Sequence, residues 1–386
     1  MDRAKLIIII FTSILTFSAL YAPQPIQPII MEYFKVSQSS SALLTTVTMF
    51  PLSIAPIFYG YMLESVSAKR MLVVSLFVLA SCQFLFYIAT SFNILIALRV
   101  VEGLAIPAIL TGIMTYISTM TTKGNVQKIM AIYISSTIIG GFSGRFFSGL
   151  ISYYTNWRMM FIILGISLMV SVLLIGRLSD NKASITKLNA RAIFEVLSIK
   201  KFTVIYIMIF SMFFMFAAVL NFIPYRMREI NPASSSMLIG VMYTGYIMGI
   251  VTSLNSLKLI KLFRNEVNTI LTGLVIFVIS LVFFVQHNIY VMFLGMFIFC
   301  AGMFMTHTVA SGYLNRLAES NKGVTNGLYV AFYYSGGTVG SIAPGIIYEK
   351  YGWNIFLLVL GIIMLCTIIF GRLTLRLDTK LCSERQ

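Results

Sequence analysis

One segment of this chain occurs twice, and the duplication constrains the fold more than any other feature. Shifting the numbering by 196 places Tyr133 on Tyr329, Gly140 on Gly336, Gly141 on Gly337, Gly144 on Gly340 and Gly149 on Gly345. The register continues without a gap through Ile151/Ile347, Trp157/Trp353, Leu164/Leu360 and Gly165/Gly361. Two halves of similar build follow, and a repeat of this kind governs every local reading. The first copy, Ile129 to Tyr153, is apolar enough and long enough to cross a bilayer, which takes about 20 residues. Gly140, Gly144 and Ser148 recur at every fourth position, a strip that lets another helix approach closely. Arg145 stands inside that strip and falls on Ser341 in the second copy, so the charge belongs to one half only.

Of the 386 residues, 59% are hydrophobic and 10% are charged. A soluble domain carries nearer a quarter of charged residues, so the chain reads as an all-α integral membrane protein. The formal charge of +16 lies in short polar intervals and serves orientation, not nucleic-acid binding. Twelve spans are expected: Leu6–Ile30, Ser41–Leu63, Met71–Thr90, Phe92–Met120, Ile129–Tyr153, Arg158–Leu178, Phe202–Ile223, Ser235–Leu257, Val267–Gln286, Ile289–Leu314, Thr325–Tyr348 and Trp353–Leu373. The longest polar interval divides a six-helix bundle at 1–178 from another at 202–386, with a linker at 179–201 and a short C-terminal tail. Twenty-one Lys and Arg residues fall on one side of these spans; the other side has only Lys35, Arg158, Arg226, Arg228 and Lys350. Both termini are therefore expected in the cytoplasm. The run Leu6 to Tyr21 reads as an uncleaved first helix. Cys82, Cys300, Cys366 and Cys382 are scattered and read as small apolar packing residues.

Four ionisable side chains lie well inside spans: Arg99, Glu102, Arg145 and His307. Such groups are costly in a membrane and face a cavity or a partner. Arg99 and Glu102 are an i, i+3 pair on one helix face. Rise per residue puts both and Arg145 at one depth, about 10–15 Å below the outer end. We therefore expect Arg145 to pair with Glu102 across spans five and four. Two readings stay open: an ion pair that pins the helices, and a protonatable switch at Glu102. His307 is surrounded by Thr306, Thr308 and Ser311 and reads as a packing residue, a proton carrier or a substrate contact. Pro23, Pro25 and Pro28 interrupt span one, where Tyr21 and Gln24 are candidate cavity residues. Further candidates are Asn221, taken to close span seven, and Tyr243, Tyr246, Tyr329 and Tyr333, whose hydroxyls need a partner or water. No P-loop, nucleophile elbow, metal-ligand cluster or dinucleotide fingerprint occurs. No cofactor, metal or catalysis is expected, and an ion or substrate gradient has to supply the energy.

Several segments resemble the major facilitator superfamily over essentially the whole chain. Gly60, Glu64, Lys69 and Arg70 look like its signature between spans two and three, with Glu64 in place of Asp. Arg99 and Gly103 match its span-four R-x-x-x-G, and Gly140, Gly144, Ser148 and Gly149 look like its antiporter signature with Arg145 replacing a proline. Tyr21–Ile26, Tyr133–Arg145, His307–Ser311 and Leu328–Tyr334 are similar to the bacterial YnfM-type, drug-efflux-like subgroup. The resemblance implies two six-helix bundles related by a pseudo-two-fold axis along the membrane normal, working by alternating access. It implies a monomer of the bacterial inner membrane that exports small organic molecules in exchange for protons. It places a cytoplasmic gate at Glu64, Lys69 and Arg70, with Gly140 and Gly144 as gating glycines. An importer or uniporter of a sugar or organic acid is the alternative; a membrane-embedded acyltransferase using His307 is a remote one.

Overall fold

The computed structural model describes residues 2–62, 66–121, 126–179, 190–318 and 322–383. Among these the regular structure is helical. In the first part of the chain α1 (Arg3–Tyr21), α2 (Gln27–Phe34), α3 (Gln38–Met62), α4 (Ala68–Ile88), α5 (Phe92–Met120), α6 (Val126–Tyr154) and α7 (Met159–Gly176) follow one another. After α8 (Ala190–Ser198) come α9 (Lys200–Ile230), α10 (Ser236–Met242), α11 (Tyr246–Leu254), α12 (Ser256–Leu262), α13 (Glu266–Ile279), α14 (Leu281–Val285), α15 (Ile289–Leu317), α16 (Lys322–Gly340) and α17 (Ala343–Ser383).

Nine helical segments among the described residues are long and apolar enough to cross a membrane. One of them, Gly323–Leu375, is 53 residues long, room for two crossings, and bends at Gly352 with φ of 81°. α3 and α6, with 25 and 29 residues, also have spanning length. Several expected ends move. Span one is two helices joined by a 3₁₀ turn at Gln24–Ile26, as its prolines require. Span seven runs on to Ile230, so Asn221 lies inside a helix and does not close one. Span eight breaks into α10 and α11 around a 3₁₀ turn at Tyr243–Gly245.

Two compact units form. The first comprises Met1–Lys187 with Met227–Tyr243, the second Leu188–Arg226 with Thr244–Gln386. The boundaries expected from sequence assign 227–243 to the other bundle. These residues join the first unit because α10 packs on α6: a Cβ at Gly149 would collide with the backbones of Ser236 and Gly240. Interior glycines, not large side chains, set this approach.

The repeat extends to its packing partners. In the first unit a Cβ at Gly140 would meet Ile14 Cα at 2.9 Å, and one at Gly144 would run into Ser18. In the second, the corresponding clashes are of Gly336 with Phe210 and of Gly340 with Phe214. Phe210 and Phe214 follow Ile14 and Ser18 by the same 196 residues. The glycine strips of α6 and α16 thus seat on α1 and α9 in one register. The tryptophans repeat too, but with different aromatic neighbours. Trp157 is ringed by Tyr33, Phe34, Phe86 and Phe161, and Trp353 by Tyr348 and Phe356. These contacts fit a helix-packing role for Gly140 and Gly144; the gating role expected of them remains a proposal.

Gly144→Ala is expected to lower stability by about 1–3 kcal/mol, the usual effect of overpacking. Gly312, with open space around its Cβ position, tolerates the same change. Thermal unfolding of both variants in detergent checks this, and equal melting temperatures would contradict it.

Candidate functional site

The first unit builds a buried polar cluster around the interruption of span one. Proline has no N–H, so Pro23 cannot satisfy the carbonyl of Ala19 four residues back. The carbonyl of Leu20 lies in the last turn of α1, where partners run out. Arg99 on α5 fills both gaps: Nη1 donates to Ala19 O at 3.1 Å and Nη2 to Leu20 O at 2.6 Å. Its Nε donates to Leu44 O on α3 at 2.7 Å. The remaining partner is Glu102, one helical turn along, whose Oε2 forms an ion pair with Arg99 Nη1. Gln83 on α4 donates to Glu102 Oε1 at 2.6 Å. Arg99, Glu102 and Gln83 are each fully buried. A charge pair in this setting is tolerable because further hydrogen bonds complete both partners.

Arg145 does not pair with Glu102, contrary to expectation; the contacts of Glu102 go to Arg99 and Gln83. The Arg145 guanidinium turns to the helix break instead. Nε donates to Gln24 Oε1 at 2.6 Å and Nη1 to Gly141 O at 2.7 Å. Its carbon lies 3.8 Å from the ring centre of Tyr21 and 5.3 Å from that of Tyr243. Aromatic faces and amide oxygens thus surround a cation that a carboxylate was expected to neutralise. Tyr21, Gln24, Tyr243 and Arg145 form one group.

The second unit holds a different cluster. Tyr329 Oη on α16 lies 2.7 Å from His307 Nδ1 on α15 and also donates to His307 O at 3.0 Å. The Tyr333 ring sits 4.8 Å from the imidazole and stacks on Phe213 of α9 at 3.7 Å. Tyr246 packs against Phe216 and Phe304, and Phe216 in turn lies 6.0 Å from Phe213. Asn221 donates to Ser341 O at 2.8 Å, the residue that replaces Arg145 in the repeat. So the equivalent place in the second unit carries a neutral amide–carbonyl bond.

Glu64 lies outside the described residues. Lys69 and Arg70 open α4, whose N-cap Ser67 accepts from Arg70 N at 3.3 Å. Sequence reading missed Gln83 and Phe213. Gln83 carried a signal, an amide deep in an apolar run; Phe213 carried none among so many phenylalanines. Among the described residues no group of His, Cys, Asp and Glu is arranged to hold a metal ion.

The family model described as Major Facilitator Superfamily matches residues 7–267 and 205–381. Among curated relatives, the inner membrane transport protein YnfM of Escherichia coli is 25% identical, covering 88% of this chain and 82% of its own. An uncharacterized transporter of Buchnera aphidicola is 28% identical, over 88% and 83%. Among solved structures, the nucleoside transporter NupG superposes with a TM-score of 0.81 at 13% identity, covering 96% of this chain and 99% of that one. A bacterial homologue of the lysosomal transporter Spinster, inward-facing and unoccupied, gives 0.76 at 12% identity, over 97% and 96%.

Removing one partner of the Arg99–Glu102 pair leaves the other buried and uncompensated. Arg99→Ala and Glu102→Ala should each cost about 3–5 kcal/mol, with the double variant well short of their sum. Arg145→Ala and Glu102→Ala should add without a coupling term. A double-mutant cycle on unfolding in detergent measures both; a coupling between Arg145 and Glu102 as large as that of Arg99 would overturn this assignment.

Proposed function

The chain belongs to the major facilitator superfamily, and from that premise we propose a secondary transporter that exports small organic molecules in exchange for protons. The family makes it a multi-pass transport protein of the membrane. Our reading takes it as twelve spans in two six-helix bundles, with both termini cytoplasmic, active as a monomer by alternating access. One observation carries the proton-coupling part: Glu102 is a carboxylate fully buried in a span, held by Gln83 and by one arginine whose other partners are backbone carbonyls. Protonation of Glu102 would cancel the ion pair and leave Arg99 bound to Ala19, Leu20 and Leu44 alone. A proton arriving there therefore acts directly on the helix break of span one.

The substrate contacts in this reading are Tyr21, Gln24, Arg145 and Tyr243 in the first unit. In the second they are Asn221, Tyr246, Tyr329 and Tyr333, with His307 as a second candidate for proton exchange. A guanidinium and stacked rings favour a planar molecule that is neutral or anionic. Glu64, Lys69 and Arg70 form the cytoplasmic latch, and weak exposed pairs suit a latch that opens on every cycle. The import reading draws on the nucleoside transporter that shares the fold. Counterflow in inside-out vesicles separates the two directions.

A thermal-shift screen of drugs, sugars, nucleosides and organic anions identifies a ligand, because binding to the folded state raises apparent stability. With that ligand, Glu102→Gln is expected to keep the fold and binding while transport stops responding to an imposed pH gradient. Transport in proteoliposomes checks it, and an unchanged gradient response rules out Glu102 as the coupling group. His307→Ala is expected to abolish or uncouple transport at unchanged expression. A variant that is unstable in detergent yet transports normally per folded molecule assigns His307 to packing.

A further inference from the structure

A cleft of about 510 Å³ opens on the surface of the second unit, between α13 and the stretch of α17 around Ile368 and Arg372. Arg264 and Arg372 lie among its walls, and Leu262, Leu271, Val275 and Ile368 supply apolar surface. Arg264 sits in the left-handed region, φ of 74°, where the chain turns from α12 into α13. Both arginines are exposed, and neither has a side-chain hydrogen bond or ion pair among the described residues. The nearby carboxylate, Glu266, is already engaged by Arg316 at 2.8 Å. The cleft therefore pairs two available guanidinium groups with a wall of aliphatic side chains.

α12 marks the depth at which this cleft meets the bilayer. Leu257 and Leu262 are 75% and 70% exposed, and Leu254 just before the helix is 76% exposed. Lys258 and Lys261 alternate with them. Exposed leucines interleaved with lysines fit a helix lying at the boundary between headgroups and acyl chains. The neighbouring faces of α13 and α17 expose Val275, Leu365 and Ile369, as lipid-facing helices do.

We infer that this cleft is a binding site for one anionic phospholipid. Its phosphodiester lies between Arg264 and Arg372, and an acyl chain runs along Leu271, Val275 and Ile368. Two charges on one phosphate explain why arginine stands at both positions, since its fork of donors matches phosphate oxygens. The apolar wall is what a free anion has no use for and a lipid chain does. Basic pockets between membrane helices bind anionic headgroups by the same chemistry.

The test is native mass spectrometry of the full chain released from detergent, titrated with phosphatidylglycerol, phosphatidylcholine or inorganic phosphate. Phosphatidylglycerol is expected to bind in preference to phosphatidylcholine and to resist competition by inorganic phosphate. The double variant R264Q/R372Q should bind phosphatidylglycerol roughly ten- to thirtyfold more weakly, with phosphatidylcholine unaffected. V275W keeps both arginines and fills the wall. It should weaken phosphatidylglycerol as well, and it decides the matter if the double variant does not elute as a folded species. Equal binding of the two lipids, undiminished phosphatidylglycerol binding in the variants, or full displacement by inorganic phosphate would each overturn the assignment.

Discussion

The carbonyl oxygens of Ala19 and Leu20, left without helical partners where span one breaks, anchor the buried charge pair of the first unit. In a bilayer no water is at hand to satisfy them, so a broken helix survives only where protein groups fill the gap. Arg99 does so from α5, and its third donor reaches α3 at Leu44. The guanidinium thus joins three helices before its charge is considered. Glu102 then neutralises that charge from the next turn of the same helix, and Gln83 brings in α4. Take away Pro23, and Ala19 O can regain a helical donor in place of Arg99; take away Arg99, and the break loses its donors.

This dependence explains which parts of the structure could be read in advance. The repeat, the apolar spans and the interruption at Pro23, Pro25 and Pro28 are patterns along the chain, and periodicity reveals them directly. The Arg99–Glu102 pair is also local, three residues apart on one helix. The partner of Arg145 is different. Counting residues gives an expected depth in the membrane. It gives no direction around the helix axis, and Arg145 points at Gln24 and Tyr21. Opposite charge is only one of the partners open to a buried guanidinium, which is equally served by an amide, a carbonyl and an aromatic face. The lengths of span seven and the break in span eight were missed for a related reason: polar and small residues in an apolar run do not by themselves say whether a helix ends.

The two units show how one framework accommodates two chemistries. The glycine contacts and the tryptophans recur at a fixed offset, while the buried charged residues do not. Where the first unit has Arg145 and Gln24, the second has Ser341 and Asn221. Where the first has a proline-broken helix, the second has α9, continuous for 31 residues with Pro224 alone inside it. Backbone packing at glycine is intolerant of change, because any side chain collides with the partner helix. Polar groups that make their own local bonds are freer to diverge. The division of labour proposed above, a carboxylate in one unit and a histidine–tyrosine group in the other, follows that freedom.

The glycine contacts also have a mechanical meaning. α1 and α6 touch backbone to backbone at Gly140 and Gly144, with no side chain between them to act as a lubricant. Sliding one helix past the other by a single residue, about 1.5 Å, drives a branched or aromatic side chain into space that admits only hydrogen. The pair behaves as a strut. Any bending of the first unit is thereby left to the place where α1 gives way to α2, beside the two carbonyls that Arg99 holds from α5. In the second unit the strut is α9 with α16, and it has no such joint at the matching position.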